Sequence, residues 1–131
     1  MNDLLGSRGS RFNLTELKAE ALRIATEHGF KDTSVPEDIA LMHSELSEAL
    51  EDYRAGYAPN HVFYRTRVED NDMTKLDGQI NQKPCGIPSE MADVIIRVLH
   101  FCGKHDIDIE KAVIEKMKYN ESRPFKHGKK I

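Results

Sequence analysis

Apolar residues recur three and four positions apart along four stretches of the chain, a spacing that predicts amphipathic helices. The predicted helices run from about Asn13 to His28, Val35 to Ala55, Pro88 or Ser89 to Gly103, and Asp108 to about Asn120. No strand pattern competes inside these segments. The predicted fold class is therefore all-α, with a protomer that resembles a four-helix bundle.

Residues typical of helix ends support these boundaries. Asn13, Ser34 and Asp108 precede three of the helices and have side chains suited to accept from first-turn N–H groups. Gly29 and Gly56 follow the first and second helices, where glycine commonly ends a helix. The sequence thus specifies local helix limits as well as helix periodicity.

The connection between the second and third helices, residues 57–88, is unusually long and rich in proline and glycine. It contains "HVFYRTRV", which has a β-type composition. We predict a single domain over residues 1–131, with a flexible arm at 1–12 and an insertion at 57–88. The insertion is interpreted as a lid, a hairpin or a dimer arm.

Composition narrows the class of protein. Of the 131 residues 39% are hydrophobic and 31% charged, and no apolar run approaches the roughly 20 residues of a membrane span. Cys85 and Cys102 form no CxxC pair, which favours free thiols in a reducing cytoplasm. The net charge of −3 gives no electrostatic signature for nucleic acid. We expect a cytoplasmic protein that binds neither nucleic acid nor a membrane.

The charge is unevenly distributed along the chain. Residues 37–52 are acidic, whereas the tail "KYNESRPFKHGKKI" is basic. This asymmetry suggests an anionic ligand held between an acidic metal-binding patch and basic side chains. A solvated tail is the alternative interpretation.

Two acidic pairs with matching spacing lie on consecutive predicted helices. Glu45 and Glu48 are three residues apart, as are Glu90 and Asp93, so each pair projects from one helix surface. Glu45 also borders the apolar stripe of its helix. If the helices pack through their stripes, four carboxylates meet, and they need a counter-charge such as Mg²⁺. A single such pair is more often a solvated helix face.

A third group of polar residues lies near the end of the last predicted helix. Lys116, Asn120 and Arg123 recur at intervals of four and three, which places them on one helix face. Lysine and arginine neutralise phosphate, and asparagine can hydrogen-bond phosphate, sugar or base. Alternatively, the two cations are solvated and Asn120 caps the helix.

The ordered set of motifs resembles the MazG-like family of all-α nucleoside triphosphate pyrophosphohydrolases. The motifs are "ELSE" at 45–48, "EMAD" at 90–93, and the lysine, asparagine and arginine of the third group. The runs "KPCGIPSEMADVIIRVLH" and "NESRPFKHGKK" are similar to small stand-alone members. The connection between Glu48 and Glu90 is longer than is usual in that family.

The resemblance implies an enzyme that uses Mg²⁺, which Mn²⁺ can replace, to split a nucleoside triphosphate into monophosphate and pyrophosphate. It favours a deoxynucleotide substrate and a homodimer or homotetramer. It also assigns two groups of residues: the metal ligands Glu45, Glu48, Glu90 and Asp93, and the substrate contacts Lys116, Asn120 and Arg123.

Further roles are hypotheses from position. Glu48 and Glu45 are the catalytic candidates, and Glu48 is preferred for orienting or deprotonating the attacking water because it lies farther from the apolar stripe. Lys83 and Arg97 are additional candidate phosphate contacts, although Arg97 can equally orient a metal ligand or form an ordinary ion pair. Two alternative functions remain: a phosphoribosyl-ATP pyrophosphohydrolase and a non-catalytic helical interaction module.

Overall fold

The computed structural model describes residues 11–30, 32–66 and 82–128. Most of the predicted arm at 1–12, and residues 67–81 of the predicted insertion, therefore lie outside the described residues. Within the described part of the chain, no helix is both long and apolar enough to cross a membrane.

The described residues are predominantly helical, which confirms the predicted all-α class. The four α-helices in this part of the chain are α1 (Leu14–Glu27), α2 (Val35–Arg54), α3 (Ile87–Lys104) and α4 (Ile109–Ser122). Two short strands, β1 (Phe63–Thr66) and β2 (Gln82–Cys85), separate α2 from α3, and a single 3-10 turn covers Phe125–Gly128.

The predicted capping residues begin their helices. The Asn13 side chain accepts from the backbone N–H of Glu16 at 2.8 Å. Ser34 and Glu37 form a reciprocal capping box, in which each side chain accepts from the other residue's backbone N–H at 3.3 Å. Asp108 caps α4 in the same way as Asn13 caps α1. These bonds satisfy first-turn N–H groups that have no partner within the helix.

The chain divides into two compact units, and the division falls within α3 between Arg97 and Val98. The terminal unit comprises Met1–Asp32 and Val98–Ile131, and so contains α1, the end of α3 and α4. The central unit comprises Thr33–Arg97, and so contains α2, both strands and the first part of α3.

In the terminal unit, side-chain hydrogen bonds connect the start of α1 with the start of α4. The Glu110 carboxylate accepts from the backbone N–H of Leu14 at 3.2 Å and from the Thr15 hydroxyl at 3.5 Å. One turn later, Lys18 Nζ donates to the Ile107 carbonyl at 2.9 Å. Residues that are far apart in sequence thereby fix how these two helices begin.

In the central unit, β1 and β2 form an antiparallel two-stranded ribbon. The paired residues are Phe63 with Cys85, Tyr64 with Pro84, Arg65 with Lys83, and Thr66 with Gln82. One residue, Gly86, connects β2 to α3. It has a φ of +106° and lies so close to the residues before β1 that an added Cβ would clash with the His61 carbonyl oxygen. Only glycine fits this junction without a shift of the backbone.

We expect Gly86→Ala to lower the free energy of unfolding by about 3 kcal/mol, because it adds both a left-handed strain and a backbone clash. Gly56→Ala is the matched control, since Gly56 has a φ of +99° but nothing within 4 Å of an added Cβ. The control should lose only about 1 kcal/mol. Urea denaturation of both variants measures the difference, and equal losses would exclude the clash.

Large apolar side chains stay accessible on α2, α3 and α4. On α2, Ile39 is 44% exposed, Leu46 46% and Tyr53 62%, although they lie along the apolar stripe seen in the sequence. Ala49 is the buried member of that stripe. Among the described residues, no large side chain is fully buried. The periodicity therefore identifies an apolar face that stays accessible within the described part of the chain.

Candidate metal centre

The acidic pair on α2 has one buried and one exposed member. Glu45 is only 7% exposed, as its position beside the apolar stripe predicts, whereas Glu48 is exposed one turn further along. Glu45 lies one helical turn before Ala49, which is also buried. The helix thus carries one carboxylate inside the central unit and a second carboxylate at its surface.

The second pair lies in the opening turns of α3, directly after the Gly86 junction. The backbone N–H of Glu90 donates to the Gly86 carbonyl at 3.1 Å. This bond fixes the first turn of the helix directly after β2. Oxygens of Glu45, Glu90 and Asp93 lie within 4.8 Å of one another. The structure therefore brings together one carboxylate of the first pair, Glu45, and both carboxylates of the second pair, Glu90 and Asp93.

Glu90 lies in an environment that disfavours its charge. The pKa of Glu90 is raised to about 7. Burial has the largest effect, and the neighbouring carboxyls of Glu48, Glu45 and Asp93 add to it. Its Oε2 atom is buried and has no hydrogen-bond partner among the described residues. A buried carboxylate oxygen without a partner is costly, and a metal ion would satisfy it.

Arg97 holds the deepest carboxylate in place. Its Nε donates to Glu45 Oε1 at 2.8 Å, one turn along α3 from Asp93. Burial alone would raise the pKa of Glu45, but the hydrogen bond and charge of Arg97, together with the neighbouring Glu48 and Glu90 carboxyls, lower it below its ordinary value. Glu45 is therefore kept ionised. Of the roles considered for Arg97, the structure shows an ion pair that orients a candidate metal ligand.

Asp93 is the accessible member of the three converging carboxylates. Burial, and then the charge of Glu45, raise its pKa, while the charges of Arg97 and Lys83 act in the opposite direction. Lys83 is on the strand that leads into α3. The cluster remains acidic overall, because the carboxylates outnumber the two cations Arg97 and Lys83.

This donor set fits a hard divalent cation. All of the available ligand atoms are carboxylate oxygens, which Mg²⁺ and Mn²⁺ prefer. Glu45, Glu90 and Asp93 would hold the ion, and Glu48 is close enough to Glu90 to affect its pKa. The unpartnered Glu90 oxygen is the observation that favours a ligand over a merely solvated acidic face.

The predicted phosphate-binding group lies in the terminal unit, whereas the carboxylates belong to the central unit. Lys116 and Asn120 are in α4, but Arg123 is one residue beyond its end and has an extended backbone. Lys116 Nζ and the Arg123 guanidinium carbon lie 5.3 Å and 5.7 Å from the centre of the Tyr119 ring. Both cations are thus positioned by one aromatic side chain.

Sequence reasoning missed two residues beside these groups. Tyr119 lies between Lys116 and Arg123 in sequence, so a search for an aromatic residue near both cations would have found it. Arg65 is the register partner of Lys83. Its position could not be found before the strand pairing was known, because the two residues are separated by a long connection.

No protein-family model, curated protein or solved structure matches this chain.

Proposed function

We propose that the protein is an Mg²⁺-dependent hydrolase that converts a nucleoside triphosphate and water into a nucleoside monophosphate and pyrophosphate. The observation that carries this proposal is the convergence of Glu45, Glu90 and Asp93 around a buried, unpartnered carboxylate oxygen. The motif order that resembles MazG-like pyrophosphohydrolases supplies the reaction class. A deoxynucleotide is the favoured substrate.

The central unit provides the ligands that the reaction needs. When bound, Mg²⁺ offsets phosphate charge and lowers the pKa of a coordinated water molecule. Glu45, kept ionised by Arg97, would hold the ion as the buried ligand, and Asp93 would hold it as the accessible one. Glu90 would have to release its proton for the ion to bind, so metal affinity should increase with pH near neutrality.

Glu48 is the residue best placed to handle the attacking water. It is exposed, yet it is close enough to the Glu45 and Glu90 carboxyls to affect the pKa of both, so it lies at the boundary between the metal ligands and solvent. In our proposal Glu48 orients the water and accepts its proton as oxygen attacks phosphorus. Glu45 has a supporting catalytic role as the fixed ligand.

The basic residues of the terminal unit are proposed to hold the triphosphate. Lys116 supplies a point charge, Arg123 can form paired hydrogen bonds with phosphate oxygens, and Asn120 donates a neutral hydrogen bond. Together they would stabilise the negative charge that moves onto the leaving pyrophosphate.

Measurement of pyrophosphate release with and without Mg²⁺ tests the proposal. The panel should contain the common ribonucleotides and deoxynucleotides together with phosphoribosyl-ATP. Release from a nucleoside triphosphate supports the proposal, whereas release from phosphoribosyl-ATP alone supports the related alternative enzyme. If no substrate releases pyrophosphate and no divalent ion binds, the chain is better described as a non-catalytic helical interaction module.

Arg123→Ala should raise KM and lower kcat/KM by about tenfold or more, because a charge-assisted phosphate contact is lost. Binding of Mn²⁺ without nucleotide should be unchanged, since the proposed ligands belong to the central unit. Lys118→Ala on α4 is the control, because Lys118 is exposed and lies outside the predicted face. Equal kinetics for both variants and the unmodified protein would remove Arg123 from the site.

We also propose a homodimer or homotetramer, because α2 and α3 each carry several exposed large apolar residues, and such surfaces commonly bind another protein chain. Sedimentation at micromolar concentration should show a species of at least twice the chain mass. Ile95→Glu, which places a charge at a residue that is 52% exposed, should shift the protein towards monomer. Glu51→Lys, on the exposed side of α2, should not. A purely monomeric unmodified protein would contradict the proposal.

A further inference from the structure

One face of the β1–β2 ribbon carries two cations side by side. Residues paired directly across antiparallel strands point to the same face, and alternate residues along each strand also share a face. Arg65 pairs with Lys83, and Phe63 pairs with Cys85, so these four residues belong to one face. We call it the cationic face of the ribbon.

The two cations of this face lack a neutralising partner within the described residues. No ion pair joins Arg65 or Lys83 to a carboxylate in that part of the chain, and both side chains are exposed. Like charges directly opposite each other destabilise a strand pair. The pairing therefore favours an anion that bonds to both side chains.

An aromatic cluster positions the arginine of this pair. The Arg65 guanidinium carbon lies 5.3 Å from the centre of the Phe63 ring. Phe63 in turn packs nearly parallel to Tyr57, with centroids 4.5 Å apart, and the His61 ring lies 5.9 Å from Phe63. This cation–π contact restrains the guanidinium group, and its N–H groups remain able to donate to a ligand. Arg65 is thereby prepared to donate to a planar or tetrahedral oxyanion.

The cationic face is also close to the carboxylate cluster. Lys83 is in the strand that leads through Gly86 into α3, where Glu90 and Asp93 follow in the first turns. The close approach of Gly86 to the His61 carbonyl fixes the ribbon to the beginning of α3.

We infer that Arg65 and Lys83 form a second phosphate-binding site, which holds a phosphate group of the nucleotide whose polyphosphate also binds at the metal centre. The inference rests on the proposed function in taking a nucleotide as the ligand. A polyphosphate has enough oxygens to bind a divalent ion and two side-chain cations together. Arg65 donates through paired N–H groups, and Lys83 contributes a point charge.

Calorimetric titration with imidodiphosphate, a diphosphate analogue that resists hydrolysis, tests the site in the presence of Mg²⁺. We expect R65Q and K83Q each to weaken binding by about tenfold, and the double variant to weaken it further. R54Q is the matched control: Arg54 is an exposed arginine of the central unit that pairs with Glu51 instead of lying on the cationic face. It should bind as tightly as the unmodified protein.

Circular dichroism of each variant checks folding, and R65K provides a second variant that keeps the charge but loses the planar donor group. R65K should bind with an affinity between those of R65Q and the unmodified protein. Affinities within twofold of the unmodified value for R65Q and K83Q would overturn the inference, as would an unmodified protein that does not bind the analogue. Loss of binding in these folded variants, without pyrophosphate release from any substrate, would support the anion site and contradict the proposed function.

Discussion

Glu48→Gln is expected to lower kcat/KM for nucleoside triphosphate hydrolysis by about a thousandfold, which corresponds to about 4 kcal/mol of activation free energy. The substitution keeps the size of the side chain but removes the charge that accepts a proton from water. Because Glu48 is exposed, its replacement should leave the helix folded. Steady-state pyrophosphate release and circular dichroism measure the two effects.

Glu51→Gln is the control for this experiment, because Glu51 is an exposed glutamate of the same helix that pairs with Arg54 instead of joining the cluster. Its kinetics should match those of the unmodified protein. If Glu48→Gln retains activity within about threefold, Glu48 is not the residue that activates water.

Glu90→Gln should weaken divalent-ion binding by at least about a hundredfold and abolish measurable turnover, because a charged ligand with a buried oxygen is replaced by a neutral amide. Titration with Mn²⁺ measures the first effect. The same variant has a second expected result in the absence of metal: it should be more stable than the unmodified protein at neutral pH.

The sign of that stability change follows from the pKa of Glu90, which is raised from 4.5 to about 7 in the folded protein. Between these values the folded state keeps a proton that the unfolded state has lost. The free energy of unfolding of the metal-free protein therefore falls as pH rises through this window, by at most about 3 kcal/mol. Glu45 has the opposite dependence, but its lowered pKa places that effect below pH 4.5.

Urea denaturation in the presence of a chelator, at intervals from pH 4.5 to pH 7.5, measures this dependence. The unmodified protein should lose stability across the series relative to Glu90→Gln, and saturating Mg²⁺ should reduce the loss. Parallel stability curves for the two metal-free proteins would show that Glu90 is not the group that titrates.

The local part of the fold could be predicted because its signals lie within a few residues of one another. Ser34 and Glu37 specify the start of α2 by a capping box that needs no distant partner. The position of Glu45 beside apolar residues likewise predicted its burial, since helix geometry alone places both on neighbouring parts of the surface.

Contacts between distant residues could not be predicted in the same way. The ion pair between Arg97 and Glu45 joins two helices, so its formation depends on how those helices pack. The pairing of Arg65 with Lys83 depends on strand register, and β2 contains Pro84 and mostly exposed residues, which give little strand signal. The importance of Gly86 likewise depends on a carbonyl from another segment.

The apolar stripes illustrate a different limit. Periodicity indicates that Ile39, Leu46 and Tyr53 share one side of α2, and the structure agrees, yet all three remain substantially exposed. A repeat of three and four reports which residues face the same direction. It does not specify whether that direction is towards another helix of the same chain or towards a second molecule.

The register of the ribbon has a consequence for how this protein can change length during evolution. Thr66 and Gln82 are paired, and the Gln82 amide donates to the Thr66 hydroxyl at 3.2 Å, so the chain leaves and re-enters the ribbon at adjacent points. Extra residues inserted between them would join two ends that the ribbon already holds together. For a flexible connection, each doubling of length costs only about 0.6 kcal/mol of closure entropy. Related chains could therefore diverge greatly in length here while the spacing of their carboxylates stays the same.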